Sequence, residues 1–183
     1  DQVQSRGLGD VYKRQVVLSE GFDNSQDNTN LDYSGWVNFA EQGTELWTEQ
    51  VFRGNGYTEF SAYRTFEDVN IGWLVTPGFD LTGSTNSFIN FKLAQHHLDD
   101  DQNNTLEVFI SNDFDGSNVL SATWNKLSVQ IPNMSNSWYA FQDSGLIDVS
   151  SYEGTIHIGF KYVGSGTNTS LDGGYFVDDI LFF

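Results

Sequence analysis

Gly174-Tyr175-Phe176-Val177-Asp178-Asp179-Ile180-Leu181-Phe182-Phe183 closes the chain, and its reading decides the rest. Tyr, Phe, Val and Ile suit a pleated, packed surface, so the stretch predicts a strand. Two adjacent carboxylates stand in its middle. In a regular strand neighbouring side chains point to opposite faces, so Asp178 and Asp179 cannot both reach water if both faces are covered. An unpaired buried carboxylate costs roughly several kcal/mol and demands a cation or strong hydrogen bonds. The residues suggest a calcium ion shared with an acidic segment near the start, Glu20-Gly21-Phe22-Asp23. Calcium takes roughly six to eight oxygens from carboxylates, carbonyls and water. The alternative is that one Asp accepts from loop N–H groups while the other pairs with Lys161 or Arg64.

Outward from that strand, two more stretches alternate cleanly. Thr155-Ile156-His157-Ile158-Gly159-Phe160-Lys161-Tyr162 places Ile156, Ile158, Phe160 and Tyr162 on one face. Thr105-Leu106-Glu107-Val108-Phe109-Ile110-Ser111 points Leu106, Val108 and Ile110 inward. Further strands are expected over Val16 to Phe22, Glu45 to Phe52, Thr58 to Tyr63, Gly72 to Thr76, Ser87 to His97, Trp124 to Ile131 and Trp138 to Asp143, and Gly35 to Phe39 alternates weakly. No stretch has the period of a long amphipathic helix. Roughly ten short strands at ~8–12-residue spacing imply an all-β protein, an antiparallel jelly-roll β-sandwich. Complementary carboxylates on the first and last strands imply that the two ends of the domain lie close together.

The chain has 183 residues, with 38% hydrophobic and 15% aromatic content, enough for one domain with a large core. With 25 acidic and 8 basic residues its net charge is −17. That balance argues against nucleic acid and anionic membrane surfaces and favours hard cations. Without cysteine there is no disulfide framework, thiolate zinc site or cysteine nucleophile. No run approaches a membrane span, so no membrane insertion is expected. Residues 1–15 lack a hydrophobic period, and Ser5 to Gln15 resembles a translated sequencing-adaptor artefact. They are set aside as a non-native or disordered leader, leaving residues 16–183 as the domain. Val16-Val17-Leu18 is too short for a signal-peptide core, so the chain is expected to be a piece of a longer exported protein.

Five stretches then coincide in order: Glu20-Gly21-Phe22-Asp23, Trp73-Leu74-Val75-Thr76-Pro77-Gly78-Phe79-Asp80-Leu81, Leu106 to Ser111, Ile156 to Tyr162, and Val177-Asp178-Asp179-Ile180. Together they resemble the choice-of-anchor J or cleaved-adhesin type of domain from secreted proteins of Bacteroidetes-like bacteria. That group is similar to the animal MAM domain and has a jelly-roll fold. The resemblance covers residues 18–183. It implies a non-catalytic module, extracellular or at the cell surface, beside further domains of a parent chain. It also implies a structural calcium held by Glu20, Asp23, Asp178 and Asp179, and a protein or glycan partner at the cell surface.

Other candidates carry less. Asp99-Asp100-Asp101-Gln102-Asn103 starts like a calcium loop but has Asn104 and Ile110 where a Gly and a bidentate Glu belong, so it reads as a turn. Asp113-Phe114-Asp115-Gly116 reads likewise. His96 and His97, adjacent on a strand, are expected to face opposite ways and not to share a metal. Trp36, Trp47 and Trp73 read as packed. Tyr57 and Tyr63 could stack on sugar rings, and Trp124 and Trp138 are the candidates for a carbohydrate site, the mark of a carbohydrate-binding module of a polysaccharide-degrading protein. That is the second functional reading. A sandwich-fold hydrolase is the third, but neither a Gly-x-Ser-x-Gly elbow nor a His-Glu-x-x-His motif occurs. The chain is therefore read as no enzyme.

Overall fold

The closing strand is central to one of two antiparallel sheets. The computed structural model describes residues 18–183, so the leader 1–15 and the expected strand residues Val16 and Val17 lie outside it. Among the described residues the strands are β1 (Leu18–Glu20), β2 (Thr29–Asn30), β3 (Val37–Gln42), β4 (Thr48–Phe52), β5 (Asn55–Ser61), β6 (Asn70–Val75) and β7 (Phe79–Asp80). They continue with β8 (Phe88–His96), β9 (Thr105–Ser111), β10 (Asn125–Lys126), β11 (Gln142–Asp143), β12 (Ile147–Asp148), β13 (Thr155–Gly164) and β14 (Gly174–Phe182). One sheet runs β11-β8-β14-β5-β4-β2, with β1 added to β14 and β12 to β8. The other runs β10-β9-β13-β6-β3, with β7 added to β13. The fold is an all-β sandwich of the jelly-roll kind.

The core lies between the sheets because the alternating strands turn one face each toward it. Leu106, Val108 and Ile110 of β9 and Ile156, Ile158, Phe160 and Tyr162 of β13 are buried there, as their alternation predicts. Ile89, Phe91 and Leu93 of β8 meet them from the opposite sheet. Phe91 and Phe160 touch edge to face across the gap, with ring centroids 5.2 Å apart. Trp47 is fully buried in this core. Trp73 instead anchors a second, smaller cluster with Val75, Phe114 and Val119, outside the main core.

The first strand does pair with the last, Leu18 opposite Phe182 and Glu20 opposite Ile180. β5 pairs only with the other half of β14, up to Val177 opposite Thr58. Asp178 and Asp179 thus stand where the partner of β14 changes from β5 to β1.

Regular alternation fails at this seam. A β-bulge shifts the β14–β8 register by one residue between Asp178 and Leu181. Asp179 adopts φ 48°, a left-handed conformation that Asp tolerates better than most residues. Tyr175 and Val177 face the core before the bulge, and Ile180 and Phe182 face it after. The extra residue lets both carboxylates avoid the core, so they do not point to opposite faces as a regular pleat would require.

Two expected strands are mostly irregular. Between Trp124 and Ile131 only Asn125–Lys126 pair, with β9, and between Trp138 and Asp143 only Gln142–Asp143 pair, with β8. The segment crosses from one sheet to the other, so its backbone cannot follow a single ladder. Leu127, Val129 and Ile131 still pack against the main core.

Candidate functional site

The seam gathers the acidic residues singled out in the sequence. After β1 the chain turns inward at Phe22, whose φ of 51° drops its ring into the core against Tyr33 and Trp36. The Phe22 carbonyl then lies against Gly56 of β5 so closely that a Cβ there would sit 1.9 Å from its oxygen. Asp23 Oδ2 and Asp179 Oδ1 both approach Gly21, at 3.7 and 3.4 Å from the place of a Cβ. Glu20 folds back, its Oε1 accepting from the Phe22 N–H at 2.8 Å. Burial raises the Glu20 pKa, offset in part by that bond, and the Asp23 charge raises it further.

Asp178 is buried and held on both oxygens. Oδ1 accepts from the Asp179 N–H at 2.7 Å and Oδ2 from Asn55 Nδ2 at 2.9 Å. Burial pushes its pKa up to about 6; the two hydrogen bonds oppose the rise and the Asp179 charge adds to it. Asp179 Oδ2 pairs with Lys92 Nζ at 2.7 Å. The cation at the seam is thus neither Lys161, which pairs with Glu41, nor Arg64, which lies over the Tyr63 ring.

The donors are all hard oxygens and suit calcium in kind. Their placement brings Asp23 and Asp179 together at Gly21, with Glu20 and Asp178 beside them but bonded elsewhere. Among the described residues no three His, Cys, Asp or Glu side chains converge as a ready metal group. The two rejected acidic loops use their oxygens locally. Asp100 accepts from the N–H groups of Gln102 and Asn103, and Asp115 from those of Ser117 and Asn118.

A second feature occupies the outer face of the eight-stranded sheet. Because Tyr175 and Val177 face inward, Phe176 faces out. Tyr57 of β5 lies against it with centroids 4.6 Å apart, and Phe141, Tyr139 and His96 complete the ring cluster. Two hollows of about 680 and about 400 Å³ share Tyr57, Tyr139 and Phe176, so they are limbs of one cleft. The larger limb adds Glu45, Gln50, Glu59 and Asp172, and the smaller adds Phe52, Asn55 and Phe141.

The histidines do not diverge. β8 ends at His96, and His97 takes φ 53°, which swings its ring back. Their Nδ1 atoms are 2.8 Å apart, and His96 Nε2 lies 2.8 Å from Glu59 Oε1. An ionised Glu59 can only accept, so His96 Nε2 donates to it, and a neutral His96 then accepts at Nδ1 from His97. Gly174 makes room for this ring, since a Cβ there would meet His96 Nε2 at 2.1 Å.

Of the two tryptophans proposed for sugar stacking, Trp138 stands beside this cleft, half exposed, its ring 4.0 Å from that of His97, which lines the larger limb. Trp124 is packed against Trp73 and Phe114 and donates its Nε1–H to the Val119 carbonyl. Tyr57 and Tyr63, also named as rings that could stack on sugar, both line the larger limb. Sequence reading missed Tyr139 and Phe176. A signal existed for Phe176, which is out of phase with the inward pair Tyr175 and Val177.

No family model matches the sequence, and no curated protein matches it. Solved structures do match the fold. The K2 cleaved adhesin domain of Lys-gingipain superposes with a TM-score of 0.59 at 14% identity, covering 91% of this chain and 98% of that one. The K3 cleaved adhesin domain of Lys-gingipain from Porphyromonas gingivalis gives 0.56 at 17% identity, covering 92% and 99%. A carbohydrate-binding module solved with β-1,4-galactotriose gives 0.50 at 11% identity, covering 90% and 94%. The fold is therefore cleaved-adhesin-like.

Proposed function

We propose that this chain is a non-catalytic extracellular binding module of a larger secreted or surface protein, of the choice-of-anchor J or cleaved-adhesin kind, with residues 16–183 as its domain. The observation that carries this reading is the aromatic cleft over Phe176. Rings such as Tyr139, Trp138 and Phe52 are each more than half exposed beside polar groups. Exposed aromatics with a few placed polar groups are the ordinary makings of a recognition site. Its partner is a protein or glycan at the cell surface.

Calcium is assigned a structural role at the seam, through Glu20, Asp23, Asp178 and Asp179. What supports it is two carboxylates meeting at Gly21, a buried Asp178 and a Glu20 whose charge is opposed by Asp23. Bound there, the ion would tie the first strand to the last. Asp178 and Asp179 would hold it from β14, and Glu20 and Asp23 from β1 and its following turn.

The second reading, a carbohydrate-binding module, is favoured by one specific feature, the stacked rings of the cleft. Both readings place the ligand there. Hydrogen–deuterium exchange checks this with two probes, a mixture of soluble neutral polysaccharides and a Lys-rich peptide. Protection of residues 55–61 and 138–141, with the probe recovered intact, is expected. Protection confined to another surface, or a shortened probe, contradicts the proposal.

A further inference from the structure

We infer that the Tyr57–Phe176–Tyr139 cleft takes a neutral polysaccharide chain, laid across its two limbs. This deepens the binding-module reading and rests on it. The chemistry of the lining selects the ligand. A pyranose ring has an apolar C–H face and a rim of hydroxyls. The weakly positive C–H bonds suit the negative face of an aromatic ring. Tyr139 offers such a face. It is 56% exposed and stands nearly parallel to the His96 ring behind it, 12° apart at 5.5 Å. Trp138, half exposed, packs on His97 at the edge of the larger limb and offers a second face, turned away from the plane of Tyr139.

The hydroxyl rim finds donors and acceptors together. Gln50 and Asn28 supply amides, Glu45, Glu59 and Asp172 supply carboxylates, and Tyr57 supplies a phenol. Burial pushes the Tyr57 pKa up to about 12, with the Glu59 and Asp27 charges adding to the rise, so this phenol stays a donor as well as an acceptor. A ligand made of hydroxyls can use such a mixed set. A Lys or Arg side chain, which only donates, would use the acids alone.

Charge excludes the acidic sugars. Among the described residues lining the two limbs there is no Lys or Arg, against three carboxylates. Arg53 and Arg64 lie nearby, but each is stacked on an exposed ring, Phe52 and Tyr63 respectively. A uronate or sulfated chain would bring like charge to Glu45, Glu59 and Asp172, in a molecule already at −17. The two limbs sharing three rings make a continuous path, which fits an extended chain better than a single sugar.

The test is native affinity electrophoresis of the full chain with calcium present. The probes are a soluble β-glucan, a galactan, a mannan and a xylan, with polygalacturonate and a Lys-rich peptide alongside. At least one neutral polysaccharide should retard the protein, and polygalacturonate should not. Tyr139→Ala should weaken retention at least about tenfold, the loss of a binding hot spot, and Trp138→Ala should weaken it independently. Both side chains are more than half exposed, so both variants should keep the near-ultraviolet dichroism of a folded protein. Absence of retardation by all four neutral polymers overturns the inference, as does retardation that both variants leave unchanged or equal retardation by polygalacturonate. If only the Lys-rich peptide binds, in a Tyr139-dependent way, the glycan inference falls and the binding-module reading stands. If nothing binds, both fall.

Discussion

Asn55 Nδ2 donates to Asp178 Oδ2 across 2.9 Å, joining the carboxylate seam to the cleft. Asp178 belongs to the seam between the first and last strands, while Asn55 lines the smaller limb of the cleft. The hydrogen bond runs to a carboxylate 3% exposed, where such bonds are strongest. Asn55→Ala removes it and leaves Asp178 short of a partner. The expected result is a loss of about 1–3 kcal/mol in chemical unfolding, together with weaker ligand retention. Unchanged stability would show that the two features are independent.

Gly56 is fixed by backbone, not by conformation. A methyl group there would collide with the Phe22 carbonyl at 1.9 Å, and a carbonyl cannot swing aside as a side chain can. Gly56→Ala should therefore cost about 3 kcal/mol or more and separate β1 from its seat. Urea unfolding checks it, and a loss below about 0.5 kcal/mol, the range of a neutral surface change, would contradict it.

Gly174→Ala meets a flexible side chain instead. The His96 ring must leave, breaking its contacts with Glu59, His97 and Tyr139. Stability should fall by only about 1 kcal/mol, because the obstacle is the far end of a side chain that borders an open cleft. Ligand retention should fall at least about tenfold, since one wall of the cleft goes with it. Full retention would remove His96 from the binding surface.

Stability in chelator should carry the mark of Asp178. Its pKa is about 6 in the folded chain, raised by burial, against roughly 3.9 unfolded. The folded state then holds the extra proton between those values, so stability falls as pH rises from about 4 to about 6 and levels off above. The contribution is at most about 3 kcal/mol. Glu20 is raised as well and adds in the same direction. Unfolding of wild type and Asp178→Asn between about pH 4.5 and about pH 7 isolates the Asp178 contribution. The wild type should lose ground to the variant as pH rises, and parallel curves would refute the assignment.

The fold was legible where the pleat is regular. β9 and β13 bury the residues their alternation predicts, and the carboxylates of the two ends pointed to termini lying close together, where β1 and β14 in fact pair. The bulge was not legible, because period-two reasoning assumes one residue per step, and Asp178-Asp179 inserts an extra one. His97 escaped for a similar reason, its positive φ cancelling the expected divergence from His96. The cleft was harder still. Its rings come from β5, β14 and the irregular stretch at Tyr139 and Phe141, and an aromatic on the outer face of a sheet reads in sequence like one in the core. Trp124 shows the converse, a ring that looked available but is packed on Trp73.

Everything at the seam turns on whether its carboxylates take up a cation. Thermal unfolding of the protein with millimolar calcium and with chelator decides it most directly. Calcium binding only the folded state should add about 2 kcal/mol or more at tens of times its dissociation constant, a rise of several °C that saturates. Asp178→Asn combined with Asp179→Asn should abolish the rise. No shift with calcium, or an equal shift in the double variant, would contradict a calcium site at Glu20, Asp23, Asp178 and Asp179 and leave the pair as hydrogen-bonded structure.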